Sequence, residues 1–166
     1  MVTWNELWLF ALPAIFCWAV ASLLSLRGER QKTVCLFAII GLLIFGSYIA
    51  SMWVSLKHPP MRTMGETRLW YSLFLPLVGL ITYSRWRYRW ILLFSTILST
   101  VFIAINILKP EIHSKTLMPA LQSPWFAPHV IIYMFAYATT GVAMLLSLWQ
   151  LYRKQEQMAA IDNLTR

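Results

Sequence analysis

The 166-residue sequence is poor in charge: Asp, Glu, Lys and Arg make up only 12% of it, and its long apolar runs hold no ionisable side chain at mid-depth. Intramembrane charges are what proton relays and ion paths need, so a pump or ion-coupled transporter is excluded. There are only two cysteines, Cys17 and Cys35, with no CxxC and no Cys/His zinc spacing, which excludes a thiol relay and a zinc centre. In helices the two would differ in depth by roughly 10 Å, beyond disulfide reach. The three histidines include no pair facing each other inside an apolar run. A conventional membrane b-type cytochrome, which needs such a pair, is therefore excluded. No basic block or aromatic RNA-binding motif points to nucleic acid. Met1–Glu6 has no basic n-region and the run that follows is too long for an h-region, so the first helix is expected to stay in the mature protein.

What the sequence has in abundance is hydrocarbon. Hydrophobic residues make up 59%, far from the balance of a soluble domain. Apolar runs at about 4–26, 33–56, 69–84, 90–108 and 129–152 each approach the roughly 20 residues that cross a bilayer. They predict one all-α domain over residues 1–166, an integral membrane bundle of about five transmembrane helices whose first partner is the lipid bilayer. The third run is the shortest, but Trp70 and Tyr71 at one end and Tyr83, Trp86, Tyr88 and Trp90 at the other form interfacial belts. Pro13 and Pro76 fall inside runs, where membrane helices tolerate them.

The cations set the orientation. Arg27, Arg30, Lys32, Arg85, Arg87, Arg89, Arg153, Lys154 and Arg166 fall on one side, against Lys57, Arg62, Arg68, Lys109 and Lys115 on the other. Nine against five places the N-terminus outside and the C-terminus in the cytoplasm, here of a bacterial inner membrane. The inner connections are short and charged, as hairpins that only return the chain would be. The outer segments, 57–68 and 109–128, are longer and rich in Pro, Met and Trp, with all three histidines in or beside them. Any chemistry is expected on that face. His129 follows Pro128 at the start of the last helix, beside Trp125 and Phe126. Read alone, it is either a polar helix-end residue or a haem-iron ligand held beside aromatic surfaces. His58 and His113 read as solvated loop residues, and Asn106 as a bond to a neighbouring helix or a plain interfacial residue.

Two segments resemble the CcsA/ResC family of cytochrome c assembly proteins. Pro60-Met61-Arg62-Thr63-Met64-Gly65-Glu66-Thr67-Arg68-Leu69-Trp70-Tyr71-Ser72 is similar to the family's outer segment, with a Pro-Met start and a Glu leading into the next helix. Leu117-Met118-Pro119-Ala120-Leu121-Gln122-Ser123-Pro124-Trp125, then Pro128-His129-Val130 and Tyr137-Ala138, resembles the family's "PALQS-x-W…HV…YA" stretch. The resemblance runs from about the second helix to the end of the chain. It implies that His129 is an axial ligand of haem iron, with Trp125 beside the ring, in a system that delivers haem to the outer face and joins it to the CxxCH cysteines of apocytochrome c. It further implies a ResB/CcsB-type membrane partner and, for the family, haem lyase or synthase activity. The family's WGxxWxWD motif and its later outer histidine have no counterpart here, and Ile161-Asp162-Asn163-Leu164-Thr165 resembles the segment leading towards that motif. The chain is thus expected to be the N-terminal part of a larger haem-handling unit, without activity alone. A second function stays open: a non-catalytic membrane subunit that stabilises a partner without binding haem.

Overall fold

In the computed structural model, which describes residues 3–113 and 125–164, five helices follow one another up and down. After a 3-10 turn at Trp4–Glu6 come α1 (Leu7–Arg27), α2 (Gln31–Leu56), α3 (Met64–Trp86) and α4 (Arg89–Leu108). A second 3-10 turn, Pro110–His113, precedes α5 (Phe126–Leu164). Pro13 and Pro76 lie within α1 and α3, and Cys17 and Cys35 are free thiols.

Each boundary has a local cause. Gly28 takes the left-handed conformation, φ +81°, and the Glu29 N–H reaches the Leu24 carbonyl while the Gly28 N–H reaches that of Ser25. This Schellman arrangement satisfies the last carbonyls of α1 and turns the chain within three residues. At the start of α3, the Thr63 side chain accepts from the Glu66 N–H at 3.2 Å, and the Glu66 carboxylate accepts from the Thr63 and Arg62 N–H groups at 3.1 and 2.6 Å. That capping box explains why α3 begins at Met64 rather than with the apolar run at 69.

Between helices in lipid there is no hydrophobic gain, so close approach and hydrogen bonds must join them. The buried positions of α1 are Leu7, Ala11, Ala14, Trp18, Ala21, Ser22 and Ser25, mostly small residues on one face. Gly41 of α2 admits the Trp18 indole; a Cβ there would lie 2.6 Å from Nε1. A Cβ on Gly79 of α3 would overlap the Ser95 hydroxyl of α4. Ser22 and Thr96 share a hydrogen bond of 2.8 Å between α1 and α4, and the Ser99 hydroxyl donates to the Ser72 carbonyl. The resulting core includes Trp18, Phe45, Tyr48, Leu69 and Ile103.

Among the described residues, four helices are long and apolar enough to cross a membrane: 4–27, 31–56, 89–108 and 128–154. The fifth candidate, α3, has 23 residues, enough for roughly 34 Å, but includes Glu66, Arg68 and Arg85. Its lower apolarity has a physical reason. It packs against α2, α4 and α5, so much of its surface meets protein instead of lipid.

Candidate functional site at the mouth of the bundle

The N-terminal turn, the α2–α3 connection and the turn after α4 converge at one end of the bundle, its mouth. Trp4 stacks flat on His113, with ring centroids 3.7 Å apart and planes 7° from parallel. The His113 Nε2 lies 2.9 Å from the Asn106 carbonyl, and the Asn106 amide donates to the Gly65 carbonyl at 3.2 Å. Gly65 is required at this crossing, because a Cβ would sit 2.8 Å from His113 Cδ2 and 3.1 Å from Trp4. The Trp70 indole N–H donates to the Pro60 carbonyl at 3.0 Å, and the Tyr48 hydroxyl donates to that of Thr3. Burial lowers the His113 pKa below the ordinary 6.5, against smaller upward effects of the Asn106 carbonyl and the Glu66 carboxylate.

Asn106 is therefore an interhelical tie, fully buried in α4. His113 is a packed, half-buried residue rather than a solvated one. His58 bonds within its own turn, Nδ1 lying 3.0 Å from the Pro59 carbonyl. Neither histidine meets His129 in any hydrogen bond or ring contact among the described residues.

His129 stands apart from this lock. It lies exposed in the first turn of α5, its N–H bonded to the Trp125 carbonyl at 3.4 Å. Its ring meets the edge of Tyr133 at 4.3 Å, and Tyr133 stacks on Tyr137 at 6.1 Å. The three recur every fourth residue, so they form one aromatic ribbon descending α5. Neither ring nitrogen of His129 has a hydrogen-bond partner among the described residues. Trp125 is 82% exposed at the helix start. The Leu117–Pro124 part of the stretch singled out in the sequence lies outside the described residues.

The donor set fits haem as far as one side of the iron is concerned. An accessible imidazole with uncommitted nitrogens suits an axial ligand, and exposed aromatic surface lies on either side of it along the helix. Arg68, near the mouth end of α3, has a buried guanidinium nitrogen, Nη1, without a hydrogen-bond partner among the described residues, and such a donor suits a propionate carboxylate. No cluster of three or more His, Cys, Asp or Glu side chains suited to a bare metal ion occurs among the described residues.

Tyr133 is the residue that sequence reasoning missed, although its i+4 spacing from His129 and i−4 spacing from Tyr137 were the available signal. Trp4 and Gly65 had no such signal, because their role arises from three segments meeting in space.

Comparison with known proteins bears on the family. The family described as cytochrome C assembly protein matches residues 61–166. The cytochrome c biogenesis protein CcsA of Hordeum vulgare is 33% identical over 122 residues, covering 72% of this chain and 36% of that protein. The CcsA proteins of Nicotiana tomentosiformis and Zea mays are each 32% identical, covering 78% and 77% of this chain and 42% and 40% of their own lengths. The chain thus spans about two-fifths of the length of these relatives. No solved structure matches it significantly. The family match begins at Met61, where the mouth segment enters α3, and extends through the last helix, so the chain belongs to the cytochrome c assembly protein family.

Proposed function

We propose that the chain is a haem-binding membrane component of cytochrome c biogenesis, with His129 supplying one axial ligand at the mouth of the bundle. The observation that carries this reading is His129 itself: exposed, uncommitted at both ring nitrogens among the described residues, and flanked by Trp125 and Tyr133. All five helices then span the membrane, with the mouth on the outer face and the tight turns in the cytoplasm, in the sense of the nine-to-five cation bias.

In this reading haem supplies the vinyl groups that the thiols of a CxxCH apocytochrome attack. The protein's own share is placement. His129 would hold the iron, Tyr133 would limit rotation of the imidazole, and Trp125 would offer stacking area. Arg68 would hold a propionate carboxylate. The locked mouth fixes the α3 end of the site, and fixed geometry is a large part of the acceleration of any addition between two partners. A ResB/CcsB-type partner or a further segment of the assembly would supply further contacts to the haem.

The experiment is performed on the haem-loaded assembly. His129→Gly is expected to lower haem content and shift the absorption spectrum, with partial recovery on adding imidazole. A larger loss from His58→Ala would sink the assignment.

A second reading, a membrane subunit that stabilises a partner without touching haem, is favoured by one observation: only 11% of the apolar window of α5 is buried, leaving a long face for another helix. It prevails if His129→Gly leaves haem unchanged while bulky substitutions on the exposed face of α5, such as Ile132→Trp, release the partner.

A further inference from the structure

On the membrane-facing side of the bundle, the seam between α1 and α4 is an open groove of about 390 Å³, lined by Ile15, Ala19, Leu23, Leu93, Ile97 and Val101 among others. Its polar atoms are committed. The Ser22 and Thr96 hydroxyls bond to each other, Thr96 also to the Leu93 carbonyl, and the Thr100 hydroxyl donates to that of Thr96. What the groove offers to an occupant is therefore hydrocarbon. Its stretch from Leu93 to Val101 is about 12 Å long and lies open along one side, so an alkyl chain can lie in it in contact with both helices.

One end of the groove is cationic. Arg89, one turn below Leu93, opens α4 and lays its guanidinium against Gly28, where a Cβ would lie 3.3 Å from Nη2. Arg89 is exposed and has no hydrogen bond or ion pair among the described residues. The α4 N-cap, Tyr88, makes no side-chain capping bond, so the side chain of Tyr88 does not cover the positive end of the α4 dipole at this end of the bundle. The two turns at this end, 27–32 and 85–89, carry Arg27, Arg30, Lys32, Arg85, Arg87 and Arg89 against the single acid Glu29. Arg87 is already engaged, donating to the Gln31 side chain at 2.9 Å, so Arg89 on α4 and Arg27, one turn beyond the lining residue Leu23 on α1, are the cations that flank this end of the groove.

We propose that this groove and Arg89 form a binding site for one anionic phospholipid of the leaflet that holds the tight turns. One acyl chain lies between α1 and α4, and the phosphate sits on Arg89 and the N-terminus of α4. The site is remote from the mouth and independent of haem.

The test uses the full chain in nanodiscs of phosphatidylcholine containing a minority of phosphatidylglycerol, with the lipid retained after detergent extraction read by mass spectrometry. Wild type should retain phosphatidylglycerol above its share of the bilayer. Arg89→Gln should cut that retention about five-fold, the effect of one cation at a membrane surface, and Arg89→Lys should keep most of it. Ala19→Leu, at an exposed position in the groove wall, should lower retention while the protein stays folded and monodisperse. If Arg85→Gln on the same face lowers retention as much as Arg89→Gln, the enrichment is diffuse and the site is wrong. Unchanged retention in Ala19→Leu overturns it equally, and a changed oligomeric state in that variant would assign the groove to a second copy instead.

Discussion

Helices α1–α4 and helix α5 use the membrane in opposite ways. In the three of the first group apolar enough to be recognised as spans, 33–39% of the spanning window is buried, against 11% in α5. The four-helix part is joined by glycine contacts, hydroxyl bonds and the locked mouth. By contrast, α5 rests on α3 through contacts such as Phe74 with Phe135 and turns its aromatic ribbon outward. Under the proposed reading, stability and recognition fall to different helices, a division that would leave α5 free to meet a cofactor or a partner without loosening the rest.

The largest effect that can break this comparison comes from paired glycine substitutions. Gly79→Leu inserts bulk where even a Cβ overlaps Ser95, and overpacking of this kind costs about 1–3 kcal/mol or more. It is expected to lower the melting temperature sharply or prevent accumulation. At Gly141 on α5 an added Cβ would meet nothing within 4 Å, so Gly141→Leu should leave melting of the purified protein unchanged within about 0.5 kcal/mol. Equal destabilisation by the two would show that α5 carries as much of the fold as its neighbours.

Next in size is Asn106→Leu, which removes the tie to the Gly65 carbonyl. An interhelical hydrogen bond in a membrane is worth roughly 0.6 kcal/mol, at most near 2. Because the Asn106 Oδ1 is buried without a partner among the described residues, its removal offsets part of that loss. A decrease of about 1 kcal/mol or less is expected in unfolding titrations, while the haem content of the assembly stays near wild type. His129→Ala should give the converse, lost haem with unchanged unfolding, and similar losses of both quantities in both variants would erase the division.

The sequence carried the helices well because bilayer crossing imposes a length and an apolar composition that need no tertiary knowledge. Four of the five apolar runs match helices that meet both criteria. The third reads shorter than it is, since its first turn is set by Thr63 and Glu66, polar residues that belong to a cap rather than to a span. The place of His129 at the start of the last helix was legible from its neighbours in the chain. The packing of His113 was not, because Trp4 is more than a hundred residues away in sequence and Gly65 matters only through the space it leaves. Isolated polar residues in loops carry no record of which distant ring will cover them.

The smallest expected effect concerns His113 and acid. Burial disfavours its charged form, so its pKa in the folded protein lies below 6.5, whereas the unfolded chain takes up a proton near the ordinary value. The unfolded state then binds more protons than the folded one between those two values, and stability declines as pH falls from about 6.5 through the lowered pKa. Above 6.5 the contribution is fully present. The charged groups around it limit the effect: the buried Glu66 carboxylate on α3 favours the proton, the Asn106 carbonyl accepts from Nε2 in either charge state, and Trp4 is neutral. The consequence should be local, a loosening of the Trp4–Glu6 turn rather than of the whole bundle. Hydrogen exchange measured by mass spectrometry at pH 7.5 and about pH 5 should therefore show, after correction for intrinsic rates, faster exchange at acid pH in peptides covering residues 3–8 than in those from the middle of α2. His113→Gln, which keeps a donor for the Asn106 carbonyl but cannot titrate, should flatten the difference. A profile unchanged by that substitution would assign the acid response to another group and leave the mouth lock indifferent to pH.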